Sequence, residues 1–174
     1  FGSIPIKKIY PSGGVGSFAV QIAKALGAEV TGVCSSRNLE MVRSLGADHV
    51  IDYTQEDFTK GAARYDLILD NVANRSFSDL RGVLKPQGHI IPNSGHGGMG
   101  YVIKAMLLSP FTPQIGNMYL ASSNTDDLNV LKDLIEAGKV MPVIDKTYPL
   151  DETQDAFRYL EEEHAQGKVV ISVL

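Results

Sequence analysis

Residues 9 to 27 read Ile-Tyr-Pro-Ser-Gly-Gly-Val-Gly-Ser-Phe-Ala-Val-Gln-Ile-Ala-Lys-Ala-Leu-Gly, and no other stretch limits the fold so sharply. A short apolar run, Ile4 to Tyr10, leads into three glycines, Gly13, Gly14 and Gly16. Val15, Phe18, Ala19, Ile22, Ala23 and Leu26 then recur at helical spacing until Gly27 ends the series. The pattern is strand, glycine turn, helix. Glycines let a backbone approach a diphosphate with no Cβ in the way, and the helix start behind them offers unpaired N–H groups and a positive dipole end. A glycine turn alone is a weak signal, and a tight strand–helix turn with no ligand would look the same. The strand before it and the helix after it supply the context a dinucleotide site requires.

The chain continues in the same rhythm. Glu29 to Cys34 is a β-rich run, and Ser35 to Ala47 reads as a helix with Leu39, Val42 and Leu45 on one side. His49 to Tyr53, Tyr65 to Val72 and Gly88 to Pro92 are the next three strands. Between them, Thr54 and Asp57 have capping-box spacing for a helical turn to Lys60. Ser76 to Leu84 is a helix stopped by Pro86 and Gly88. Leu67, Ile68 and Leu69 run together as a strand buried on both faces would. Strands alternating with helices through short connections predict an α/β fold: a doubly wound parallel sheet of the Rossmann type.

From Asn93 to Pro113 the rhythm breaks, with a glycine-rich stretch and a helix over Tyr101 to Leu108. Ile115 to Ser122 is expected to be a sixth strand and Thr125 to Ala137 a helix with Gly138 behind it. Val140 to Tyr148 is expected to return to the sheet or its edge. A charged helix, Asp151 to His164, and a terminal strand, Lys168 to Leu174, follow.

Composition narrows the function classes. The 174 residues carry a net charge of −4, which argues against nucleic acid or an anionic membrane surface as the main partner. Cys34 is the sole cysteine, so the chain can form no internal disulfide and no cysteine-rich metal site. No signal peptide or spanning apolar run is visible, which suits a cytoplasmic protein. A chain that begins at Phe1 reads as trimmed or partial. His49, His89, His96 and His164 lack metal-ligand spacing, and Ser94-Gly-His96 lacks the elbow of a serine hydrolase.

In dinucleotide folds an acid at the end of the second strand, about 20 residues past the glycines, holds the ribose 2′-hydroxyl. Here that place holds Ser35, Ser36 and Arg37, and the next acid is Glu40. Two hydroxyls and a guanidinium suit a 2′-phosphate, which favours NADPH over NADH. The plainer reading has Ser36 capping the next helix and Arg37 in solvent, and the two are compatible.

The runs Ser12-Gly-Gly-Val-Gly16, Ser35-Ser-Arg37, Leu45-Gly-Ala-Asp-His-Val-Ile-Asp-Tyr53, Tyr65-Asp-Leu-Ile-Leu-Asp-Asn-Val72 and Gly167-Lys-Val-Val-Ile171 together resemble the medium-chain dehydrogenase/reductase superfamily. The resemblance is strongest to its zinc-independent quinone oxidoreductase and alkenal reductase branch, and it runs from about Ile6 to Leu174. It implies that Ser12, Gly13, Gly14, Val15 and Gly16 hold the pyrophosphate, and Ser35, Ser36 and Arg37 the 2′-phosphate, with Tyr53 near the adenosine. Asn71 and Val72 would line the nicotinamide ribose, and Asn93, Ser94 and Gly95 the nicotinamide. No zinc is expected from this chain, and no catalytic residue is assigned.

Residues 1–147 would then form the dinucleotide-binding domain. Residues 148–174 would be a segment that packs on an N-terminal GroES-like catalytic domain absent here, leaving the terminal strand without its usual partner. Tyr10 and Pro11 depart from the pattern where a small residue is usual, and Ala73 stands where glycine is usual. The implied activity is hydride transfer from NADPH to a small-molecule quinone, enone or aldehyde, with a homodimer through the sheet edge at Ile115 to Ser122. The alternatives are a non-catalytic NADPH-binding module or inactive fragment, and, less favoured, a domain binding S-adenosylmethionine, which would leave Ser35 to Arg37 without a role.

Overall fold

The computed structural model describes residues 7–9, 13–93, 98–108, 110, 112–115, 124–162 and 165–173. Five parallel strands form the main sheet: β1 (Lys7–Ile9), β2 (Val30–Cys34), β3 (His49–Asp52), β4 (Tyr65–Asp70) and β5 (Leu84–Pro92). Their order is β3-β2-β1-β4-β5. The chain winds outward from β1 to β3, then crosses back to lay β4 on the other side of β1. Order therefore reverses between β1 and β4, which opens a crevice at the carboxyl ends of those strands.

Two apolar clusters cover the two faces, as period-2 strands require. On one face α1 (Gly14–Ala25) brings Val20 and Ala23 against Val30 and Leu69, joined by Leu45 and Ala47 behind α2 (Leu39–Ser44). On the other, α3 (Phe77–Gly82) and α4 (Gly98–Leu108) bring Phe77, Leu80 and Tyr101 against Val33, Ile68 and Ile90. Val30 and Val33, like Ile68 and Leu69, point to opposite faces, and that alternation makes the sheet doubly wound.

Several local expectations change. The 35–47 helix is split into a 3₁₀ turn, Ser36–Asn38, and α2, and neither cap uses a Ser36 side chain. Thr54 does not cap the next turn. Asp57 does so, accepting from Thr59 N at 3.0 Å, while Thr54 turns back to Asp52. Helix α3 ends at Gly82, ahead of Pro86, and β5 begins at Leu84, with a register shift between Tyr65 and Leu67 of its neighbour. Only Ile115 of the expected sixth strand lies among the described residues, where it bridges Ile90 in parallel.

The C-terminal third departs most. After α5 (Thr125–Glu136) the chain does not rejoin the main sheet. β6 (Ile144–Pro149) pairs in parallel with β7 (Lys168–Ser172) across the crossover helix α6 (Thr153–Glu162). The terminal strand thus pairs within the chain, and β6 runs across residues 147 and 148. Asp145 fastens the unit by accepting from Tyr159 Oη at 2.7 Å and Gln166 N at 2.8 Å.

Candidate nucleotide site

The turn after β1 opens at Gly13 with φ +93°, a left-handed conformation that a side chain would strain. Gly13 is the N-cap of α1, Gly16 and Ser17 are buried behind it, and the first turn carries no acid. The N–H groups of that turn therefore face the crevice with no negative charge beside them. A Cβ on Gly14 would lie 2.6 Å from Lys168 Nζ, so a side chain there would push that ammonium aside. This cradle fits a diphosphate. Val15 is exposed. Ser12, with Tyr10 and Pro11, lies outside the described residues.

The second cluster forms where β2 and β3 end. Register pairs Cys34 with Asp52. The Tyr53 N–H donates to Cys34 O at 3.0 Å, which brings half-exposed Tyr53 beside Ser35 to Arg37. The same pairing delivers an acid that the linear sequence hid. Asp52 accepts from Ser36 Oγ at 2.5 Å, from Thr54 Oγ1 at 2.7 Å and from Thr54 N at 2.9 Å. The Ser36 and Thr54 hydroxyls hold its carboxyl below the usual range. Ser36 therefore has its hydroxyl proton committed to a carboxylate, and Arg37 is the one cation of this corner in the expected set.

The motif around residues 45–53 is explained by the same geometry. Gly46 takes φ +94° to end α2. Asp48 then accepts from Lys24 Nζ at 2.8 Å and from Val30 N at 2.7 Å, tying α1 to the start of β2. Burial alone would raise the Asp48 carboxyl, but the Lys24 and Val30 hydrogen bonds outweigh it and hold it low. Asp48 thus ties α1 to the start of β2, and Asp52 ties the end of β3 to the turn after β2.

The third cluster lies on the far side of the crevice. Asn93 N donates to Asp70 O at 2.9 Å, and Asn93 Nδ2 donates to Asn71 Oδ1 at 2.8 Å, so Asn71 and Asn93 meet at the ends of β4 and β5. Val72 is 36% exposed. Ser94 and Gly95 lie outside the described residues. Asp70, at the end of β4, organises this loop. At 1% exposure it accepts from Tyr101 Oη at 2.6 Å, Ala73 N at 2.9 Å and Val72 N at 3.3 Å. Ala73 follows with φ +57°, the conformation that explains why glycine is usual there. The signal for Asp70 was available: a carboxylate ending an apolar strand must find donors if it is buried.

A glycine turn, a hydroxyl-and-arginine corner and an amide pair, all at carboxyl ends of strands around a reversal of order, define a Rossmann-type nucleotide-binding domain. The model of the zinc-binding dehydrogenase family matches residues 45–171. The mouse mitochondrial NAD(P)H oxidoreductase RTN4IP1 is 34% identical over 94% of this chain and 46% of its own length. The NADPH-dependent alkenal/one oxidoreductase of Arabidopsis thaliana chloroplasts is 36% identical over 92% of this chain and 38% of its own. A solved quinone oxidoreductase from Coxiella burnetii superposes with a TM-score of 0.80 at 26% identity, over 99% of this chain and 53% of that one. The chain belongs to the zinc-binding dehydrogenase family of the medium-chain dehydrogenase/reductase superfamily, and it spans about half the length of the relatives it matches.

Among the described residues no three His, Cys, Asp or Glu side chains gather as metal ligands. No helix among them is long and apolar enough to cross a membrane. Two of the relatives are named for mitochondria and chloroplasts, so they do not carry the cytoplasmic expectation.

Proposed function

We propose that this chain is the NADPH-binding domain of an oxidoreductase that transfers hydride to a quinone, an enone or an aldehyde. The observation that carries the proposal is the glycine turn Gly13–Gly16 heading α1 at the reversal of strand order, with no acid in the first helical turn. There the backbone N–H groups would hold the diphosphate. Arg37, with Ser35 and Tyr53, would take the 2′-phosphate, and Asn71, Val72 and Asn93 would fix the nicotinamide end. The cofactor, when bound, supplies the hydride. The residues of this chain orient it and shield one face from water. The relatives named as NADPH-dependent alkenal/one oxidoreductase and quinone oxidoreductase support the substrate class. A homodimer through the edge that begins at Ile115 belongs to the same proposal, and a monomeric mass in light scattering at micromolar concentration would count against it.

A second reading is a NADPH-binding module without turnover of its own. Fluorescence titration with NADPH and NADH tests what the readings share. Saturable binding that prefers NADPH, with the preference lost in Arg37→Ala, is expected, and equal affinity for both cofactors in the parent chain would refute the 2′-phosphate assignment. Cofactor oxidation on adding a quinone or an enone then separates enzyme from module.

A further inference from the structure

We infer that Asp52, at the end of β3, is a specificity-determining residue that works against the 2′-phosphate and so limits the preference of this site for NADPH over NADH. The inference rests on the cofactor reading above and concerns the adenosine corner alone. Register sets Asp52 opposite Cys34, so the carboxylate stands beside the 3₁₀ turn that follows β2. An acid at the end of the second strand is the usual partner of a ribose 2′-hydroxyl. Here β3 delivers one to the same corner from the neighbouring strand. Ser36 Oγ donates to Asp52 Oδ2 at 2.5 Å and Thr54 Oγ1 to Asp52 Oδ1 at 2.7 Å, with the two hydroxyl oxygens 3.1 Å apart. Both hydroxyl protons are thus spent on one carboxylate, and neither is left for a phosphate.

Charge acts in the same direction as geometry. A phosphate oxygen in contact with Ser36 Oγ, about 2.7 Å away, would stand within about 5 Å of the Asp52 oxygen. A phosphate monoester carries a charge of about −1.5 to −2 near neutral pH, so the two groups repel. The Ser36 and Thr54 hydroxyls, followed by the Thr54 N–H, hold the Asp52 carboxyl below its ordinary value. These hydrogen bonds keep it ionised without neutralising it. Its field reaches the end of β2, where burial first and the Asp52 charge second push the Cys34 thiol up to about 11. Arg37 is the cation of the expected set at this corner, so its single positive charge is opposed by that acid before any phosphate arrives. NADH has a hydroxyl in place of the phosphate and meets no such repulsion.

The test is a fluorescence titration of the 174-residue chain, its Asp52→Asn and Ser36→Ala variants and their double variant with NADPH and with NADH. It is run at two salt concentrations, after each fold has been checked by urea unfolding. Asp52→Asn keeps an oxygen for the two Thr54 donors and removes the charge. It is expected to tighten NADPH about fivefold at low salt and less at high salt, while NADH stays within about twofold. Ser36→Ala alone should change NADPH affinity by less than about twofold, because that hydroxyl is already engaged. In the Asp52→Asn background the same change should cost several-fold, because the hydroxyl is then released to donate to the phosphate. Unchanged or weaker NADPH binding by a folded Asp52→Asn chain, or equal shifts for both cofactors, would overturn the inference. A several-fold loss of NADPH in Ser36→Ala alone would overturn it too, and that variant decides the matter if Asp52→Asn does not fold. In each of these cases a parent chain that binds NADPH leaves the cofactor reading standing. A parent chain that binds neither cofactor would sink that reading, and this inference with it.

Discussion

Replacing Asp70 by alanine should cost more stability than any other single loss of polar contacts at the crevice, and the cost can be worked from its partners. The carboxylate is 1% exposed and accepts three donors, Tyr101 Oη at 2.6 Å, Ala73 N at 2.9 Å and Val72 N at 3.3 Å. Hydrogen bonds to a charged group contribute about 1.5 to 3 kcal/mol each. The Val72 contact is long, and water can replace it because Val72 is 36% exposed. The Tyr101 hydroxyl, whose ring stacks on Phe77 with centroids 4.9 Å apart, loses its 2.6 Å bond to that carboxylate. We expect a loss of about 3 kcal/mol for Asp70→Ala and about 1.5 kcal/mol for Tyr101→Phe, with the double variant short of the sum by about 1 kcal/mol because the two share a bond. At this chain length 3 kcal/mol corresponds to a fall in Tm of roughly 6 to 12 °C. Urea unfolding with an unchanged slope is the assay. An Asp70→Ala chain within about 0.5 kcal/mol of the parent would refute the claim that this carboxylate holds the loop.

Other consequences are as direct. Ala73→Gly should stabilise the chain by about 0.5 to 1 kcal/mol in the same assay, because φ +57° strains an alanine and not a glycine; a loss would show that the alanine methyl matters more than the strain. Cys34 is fully buried, and burial, with the nearby Asp52 charge, pushes its thiol up to about 11 against a smaller opposing effect of Arg43. Native chain at pH 8 should therefore resist iodoacetamide and react only on unfolding, and labelling at the unfolded rate would contradict the packing at the end of β2. Asp48 is held below its ordinary value of 3.8, so its contribution to stability is complete above that pH and is lost as pH falls through the lower folded value. Asp48→Asn should accordingly be less stable than the parent at pH 7 and converge on it below pH 3.8, and a gap that persists at pH 2 would show that charge is not the cause.

What the sequence revealed and what it hid divide along a physical line. Features encoded by neighbours in the chain were legible: the strand–glycine–helix opening, the start of a helix at Ser76, and the Gly138 stop at φ +67°. Features encoded by pairing between distant strands were not. Asp52 reaches Ser36 only because β3 lies beside β2 with Asp52 opposite Cys34, and no spacing along the chain announces that register. The β6–β7 pairing was missed for the same reason, since an apolar run says that it will pair and not with what. Gly167-Lys168 stood out as part of a motif, but the approach of Lys168 to Gly14 depends on the pairing of β7 with β6, which no local spacing announces.

The central claim is that the glycine turn at the reversal of strand order binds a nicotinamide dinucleotide. The measurement that tests it most directly is a ¹⁵N–¹H correlation spectrum of the chain titrated with NADPH. The account predicts saturable shifts at the amides of Gly13 to Gly16, Ser35 to Arg37 and Asn71 to Ala73, at the carboxyl ends of β1, β2 and β4. Saturating NADPH that leaves those amides unmoved, or moves only residues away from the crevice, would contradict it.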